Sequence, residues 1–258
     1  MNSRRLPKTL LFLSLLFITF STSLTYADGL SDLQSALKSF KQSSAFRAQV
    51  NASLKSGNTD DKENPVKEGH TQFTLEKSQT GLQISYPNEI LKAVAEETEL
   101  RKQNPQAPTP ATDAINRFKY SEFSILFDPV RDFEDDLRKA KLVKEEQVTF
   151  KNQAARLLHM KIPLEKLSEG ERKDLKKYNA DIQIWINEQG IPLASRSIGK
   201  GSGRFALVIG FEFHFEVDKT YLVNGDRLLV THLTSTSGSS GGGMNNNETI
   251  NASLALLN

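Results

Sequence analysis

The chain has no cysteine. No disulfide can therefore brace it, and no lipid can be attached at a cleavage-site cysteine, so the core alone must hold the fold. It also lacks a long apolar run. The longest, Leu10 to Phe20, is 11 residues, against the roughly 20 needed to cross a bilayer as a helix. Charge of one sign is absent too. The formal charge of +2 owes its sign to Arg4, Arg5 and Lys8. Without residues 1–27 the chain keeps 30 Lys+Arg against 31 Asp+Glu, a net charge of −1, which gives no bulk attraction for nucleic acid. No internal repeat and no low-complexity linker divides the chain.

Residues 1–27 read as a secretory signal. Arg4, Arg5 and Lys8 form the basic end, Leu10–Phe20 the apolar segment and Thr25-Tyr-Ala27 the small-residue cleavage site. Ser3-Arg-Arg5 touches the twin-arginine pattern, but Pro7 and Lys8 occupy positions which that signal keeps apolar. The expected address is secreted, in the periplasm. Residues 28–258 are then one domain, not membrane-spanning once the leader is cleaved.

The most informative stretch is Phe205–Val217. Phe205, Leu207, Ile209, Phe211, Phe213, Phe215 and Val217 alternate with smaller or polar residues. Period two implies a strand with one face kept from water, and burying those side chains is worth about 10–20 kcal/mol. Either the protein's own helices or an apolar ligand must cover that face.

Alternation recurs along the chain. Phe46, Ala48, Val50, Ala52 and Leu54 make one strand face; Thr71, Phe73 and Leu75 a second; Leu82, Ile84 and Tyr86 a third. Leu142–Phe150 and Ala154–Ile162 flank a hairpin at Lys151-Asn152. Ala180–Asn187 and Pro192–Lys200 flank another at Glu188-Gln-Gly190. Arg204–Leu222 and Arg227–Ser235 flank Asn224-Gly225, a strong hairpin signal. Ser235–Asn247, rich in Ser, Gly and Asn, reads as a flexible loop, followed by a closing strand through Ile250, Ala252, Leu254 and Leu256.

Helical stripes occur at Leu30, Leu33, Leu37 and Phe40, capped by Ser31 or Asp32, and at Ile90, Leu91, Val94 and Ala95. Ala111–Phe127 suits helix better than strand. Asp128-Pro129 starts a further helix with Val130, Phe133 and Leu137 on its buried stripe, and Ser168-Glu-Gly-Glu171 is a capping box. The fold class expected is α+β: a curled antiparallel sheet, an unclosed barrel of about nine to ten strands, with helices packed on its concave side.

Within that layout the first third resembles the bacterial outer-membrane lipoprotein carrier family. The residues that carry the resemblance are Asp32–Phe40, Ser43–Asn51, Glu68–Leu75 and Gly81–Pro87. Their order is helix, strand opening with Phe, loop, Gly-led strand and a third strand ending in Pro. The resemblance implies a half-barrel with a helical lid over an apolar cavity for acyl chains. The carrier's Arg-Pro pair before the third strand, tied to cargo release, is replaced here by Lys77-Ser-Gln-Thr80, so that switch does not carry over.

The apolar cavity candidates are Phe46, Val50, Phe73, Leu207, Ile209, Phe211, Phe213 and Phe215. A two-residue turn at Asn224-Gly225 would set His232 opposite Val217, on the apolar face. There it is either a hydrogen-bonded core histidine or a polar group at the cavity mouth that touches a head group. The same register sets His214 opposite Ser235. Glu212, His214 and Glu216 then lack a further ligand from the neighbouring strand and read as a solvated face, not a metal site.

Gly199-Lys-Gly-Ser-Gly203 lacks the phosphate-loop order and reads as a turn. Asp132, Glu134, Asp135 and Asp136 read as an exposed helix face. Trp185 points away from Ile182, Ile184 and Ile186. Asn51, Asn247 and Asn251 begin glycosylation sequons that matter only in a host that uses them. No constellation points to an enzyme, a metal or a cofactor. The expected function is a secreted binding protein for a lipid or acylated ligand, with lipoprotein or lipid transport between envelope membranes as the role it would serve. The alternatives are an envelope scaffold that binds protein partners without a small ligand, and an embedded barrel, which the amphipathic helices fit poorly.

Overall fold

The computed structural model describes residues 28–58, 66–118, 120–205 and 208–257. The expected leader, residues 1–27, lies outside them. Helix α1 (Gly29–Ser39) leads into β1 (Phe46–Gly57), β2 (Lys67–Ser78) and β3 (Gly81–Ser85). Four helices follow: α2 (Asn88–Gln103), α3 (Pro110–Arg117), α4 (Tyr120–Phe127) and α5 (Pro129–Lys139). Strands β4 (Lys141–Phe150) and β5 (Gln153–Pro163) precede α6 (Glu169–Arg172). The chain ends in β6 (Leu175–Ile186), β7 (Pro192–Phe205), β8 (Ile209–Asn224), β9 (Arg227–Gly241) and β10 (Met244–Leu256).

All ten strands form one sheet in the order β3-β2-β1-β10-β9-β8-β7-β6-β5-β4. Every pairing is antiparallel. The last strand pairs with the first, β10 on β1, while β3 and β4 remain free edges. This is the curled, unclosed α+β sheet that the alternation predicts. One row crosses its concave face from Thr71 through Ala52, Ala252, Leu233, Lys219, Ser195 and Ile184 to Leu158.

Helices cover that face in two places. Phe118 from the α3–α4 link and Phe123, Leu126 and Phe127 from α4 pack on Val50, Phe73, Ile250 and Leu254. Leu33 and Leu37 of α1, one turn apart, join Val130 and Phe133 of α5 over Leu158, Met160, Ile182 and Ile184. Asp28 starts α1 by accepting from the Leu30 amide at 3.1 Å, in place of the expected Ser31 or Asp32. The predicted capping box at Ser168 and Glu171 is present.

Four expectations need correction. Phe205–Val217 is not one strand. Phe205 ends β7 and Ile209 opens β8, paired across a hairpin, because the apolar run continues through the turn and hides it. Gly199–Gly203 is not a turn but lies within β7. The rings of Phe215, Phe213 and Phe211 lie over Gly199, Gly201 and Gly203, where any Cβ would overlap them. Ser235–Asn247 is not a flexible loop: it forms most of the β9–β10 hairpin, turning at Gly242 and Gly243 with φ of 60° and 83°.

The fourth concerns register. The β8–β9 turn is Gly225-Asp226, with Asn224 opposite Arg227, and a bulge follows at Thr220/Tyr221. Together they shift the pairing by an odd number of residues. His232 therefore lies opposite Thr220, exposed on the outer face, and not on the apolar face. His214 pairs with Gly238 rather than Ser235.

A knot at one end of the sheet joins four elements. Arg227 is 2% exposed. Its guanidinium donates to the carbonyl oxygens of Ser44 and Phe127 at 3.0 and 3.1 Å and lies over the Phe46 ring. Beside it the Asp226 carboxylate accepts from the hydroxyls and amides of Ser43 and Ser44. Those bonds, the Ser43 hydroxyl first, hold its pKa below the usual carboxylate range.

Candidate functional site

The candidate site is an apolar cavity of about 190 Å³ between the α3–α4 lid and the concave face. Phe118, Phe123 and Leu126 form its roof; Val50, Phe73, Val217, Leu233 and Ile250 form its floor. The local sequence explains the roof. The chain breaks at Phe118, so the link between the two short helices and α4 itself present aromatic side chains inward without forming a solid rod. Phe123 contacts Phe73 with ring centroids 5.2 Å apart, and Phe73 contacts Tyr86 at 5.5 Å. Ala52 and Ala252 face each other across β1 and β10, and their small side chains leave the void.

Polar groups lie at one end. Arg117 makes a two-pronged ion pair with Glu248, at 3.0 and 2.7 Å, and Ser235 faces the same space. A cavity of this size is below the roughly 300–1,000 Å³ of drug-sized ligand sites. It is comparable with the ~150 Å³ apolar void that accepts benzene. It fits one end of an alkyl chain with the lid closed. A whole lipid would require the lid to move.

Of the residues expected from the sequence, Val50 and Phe73 line this cavity. Phe46 is buried in the same cluster but does not line it. Phe211, Phe213 and Phe215 share the concave face of β8 but lie outboard of the cavity, half-buried. Phe211 stacks on Phe213, and Phe213 meets Tyr178, each pair with centroids 6.4 Å apart. Ile209 is at the hairpin tip, Leu207 lies outside the described residues, and His232 is on the outer face. Val217, Leu233, Ile250, Phe118, Phe123 and Leu126 were not anticipated as lining. Val217 closes the expected stripe and Phe123 lies in the segment of ambiguous period, so the signal was partial.

A second group was missed. Continuing the odd positions past Val217 places Lys219 and Tyr221 on the concave face. Lys219 meets Asp132 of α5 at 3.7 Å, and Asp136, one turn on, also acts on its amine. These two carboxylates are therefore not part of an exposed helix face. Burial pushes both carboxyls up and the Lys219 amine down, with mutual attraction opposing each shift. The Tyr221 hydroxyl, raised by burial, lies 2.7 Å from the Ser195 hydroxyl.

On the outer face Glu212, His214 and Glu216 follow β8. Glu216 pairs with Arg196. Among the described residues no group of three His, Cys, Asp or Glu side chains is placed to hold a metal. Trp185 is on the same face and packs on Phe150, centroids 5.7 Å apart. No helix among the described residues is long and apolar enough to cross a membrane.

No family model matches the chain, and neither does any curated protein. Among solved structures, the crystal structure of MucB in complex with MucA(peri) aligns over 88% of this chain and 94% of that one. The identity is 9% and the TM-score 0.21. A match at that level assigns neither a fold nor a partner.

Proposed function

We propose that the protein is an envelope binding protein that takes an acyl chain between the α3–α4 lid and the concave face of the sheet. The observation that supports this reading is the apolar void of about 190 Å³ beneath Phe118, Phe123 and Leu126. A well-packed interior has few voids larger than a water molecule. Burial of apolar ligand surface there would contribute about 25 cal/mol per Å², and the Arg117–Glu248 pair with Ser235 makes one end polar, where the head group of such a ligand would lie. The ligand class is a fatty acid or the acyl part of a lipid, and transport between membranes of the envelope is the role that this would serve.

Native mass spectrometry of the gently purified chain, with titration of a fluorescent fatty acid, tests it. A stoichiometric adduct displaced by the probe is expected. A ligand-free species that binds no probe would count against a carrier.

A second reading has its own support. In the other half of the concave face Leu33, Leu37, Val130 and Phe133 pack directly on Leu158, Met160, Ile182 and Ile184. A scaffold with a small incidental void would look the same in that half. Cross-linking in cells that captures one defined envelope complex, from protein that binds no fatty acid, would favour it.

A further inference from the structure

The far end of the sheet carries exposed apolar side chains at two adjoining hairpins. Phe205 is 61%, Val208 80%, Ile209 46% and Met244 75% exposed. They belong to one patch. Phe205 pairs with Ile209 across the β7–β8 hairpin. A Cβ added at Gly242, in the β9–β10 turn, would lie 3.3 Å from Cγ2 of Ile209. Met244 pairs with Gly241, which in turn pairs with Phe211. Among the described residues no apolar neighbour covers them, and exposing such side chains together is uncommon unless they meet something.

Two observations indicate what they meet. The strand ends that lead to this tip carry Lys176, Lys177, Lys200 and Arg204 against two acidic residues, Glu212 and Asp174, whose carbonyl oxygen accepts from the Arg204 amide. None of the four cations makes an ion pair among the described residues. The tip also continues inward as an apolar strip. Along the concave face of β8 run Phe211, Phe213 and Phe215 and then Val217, which lines the cavity. An apolar tip with a basic collar suits the interface of an anionic bilayer, and the strip joins that interface to the acyl-chain site.

We propose that this tip is a membrane-docking point. Phe205, Val208, Ile209 and Met244 enter the acyl boundary of an anionic bilayer, and the four cations meet its phosphate head groups. The choice of lipid over another apolar surface rests in part on the acyl-chain reading of the cavity; the exposure and the charge do not. Docking here would hold the strip against the bilayer, so that a chain could pass from lipid to cavity without crossing water.

Vesicle flotation tests this with the chain from Asp28 onward, which contains every described element. Vesicles are phosphatidylcholine with or without phosphatidylglycerol. Binding is expected to require phosphatidylglycerol and to weaken as salt rises. Val208→Asp combined with Ile209→Asp should weaken it roughly tenfold or more, with unchanged melting because both positions are exposed. Lys200→Gln and Arg204→Gln should each cost about fivefold.

Failure of the wild type to float with either vesicle would overturn the proposal. So would equal flotation by the Val208/Ile209 variant, or a concentration-dependent dimer that this variant abolishes while neither protein floats. The same variant should still bind dissolved fatty acid, so failure of docking and failure of the cavity reading give different results.

Discussion

Ala252→Leu probes the void directly. Ala252 is 7% exposed and lines the cavity between Ala52 and Leu233. Leucine adds three carbon atoms, and each buried methylene is worth about 0.8 kcal/mol. Set against the rotamer freedom that leucine loses, about 0.5–1 kcal/mol, the variant should gain about 1–2 kcal/mol. In a close-packed core the same change would force strain and cost about 1–3 kcal/mol. The two cases thus differ in sign. Urea unfolding of wild type and variant reads the difference from the midpoint at constant slope. The filled cavity should also lose most of its affinity for a fatty-acid probe. A destabilised variant, or a stable one that binds the probe as the wild type does, would refute the reasoning that the void is real and is the site.

Other outcomes follow from the same geometry. Removing Lys219 leaves Asp132 and Asp136 facing each other's charge. Both carboxyls are raised by burial, so their contribution to stability is present at low pH and is lost as pH rises through their folded values. Lys219→Met should therefore cost about 1–2 kcal/mol near pH 7, less than the 3–5 of a fully buried pair because Asp132 is 42% exposed. Much of that loss should return as pH falls into the range just above ordinary carboxylate values; denaturant midpoints that stay flat with pH would contradict this. Arg227→Met removes the guanidinium from the carbonyl oxygens of Ser44 and Phe127 and should lower stability by about 2–4 kcal/mol, seen as a drop in Tm. Gly203→Ala would place a Cβ against the Asp174 carbonyl oxygen, whereas Gly210→Ala meets nothing. The first should cost about 2–3 kcal/mol and the second under about 0.5 kcal/mol, and equal losses would mean that the β6–β7 contact is wrong.

Much of the fold was legible because its burial is one-sided. Phe46 to Leu54 alternate and are buried at every second residue, so β1 could be read by eye. Lys151 and Asn152 adopt φ of 47° and 66°, as a tight hairpin demands. Where the alternation lacks contrast, reading failed. In Phe205–Phe211 the turn residues are as apolar as the strands. In Gly199–Gly203 the glycines signal a turn locally, yet serve as seats for rings from the next strand. Ser237 and Ser239 pair with Phe215 and Phe213, so a polar segment is held in the sheet by partners distant from its own sequence.

The site was legible in part for the same reason. Val50 and Phe73 come from strands with clear period. The roof comes from a segment whose period is mixed, and its helices are fixed by what they cover. His232 shows how little a register argument tolerates. The turn lies one residue later than the Asn224-Gly225 reading, which by itself keeps the face, and the single bulge at Thr220/Tyr221 moved it to the other face of the sheet.

The central claim, that an acyl chain lies beneath the lid, is tested most directly by contacts between ligand and protein in solution. Methyl-labelled protein bound to oleate should show nuclear Overhauser contacts from the alkyl chain to Val50, Val217, Leu233 and Ile250, which line the cavity. It should show none to Leu158 or Ile184, which are sealed beneath α1 and α5. Saturating oleate that contacts none of the four cavity methyls would contradict the account.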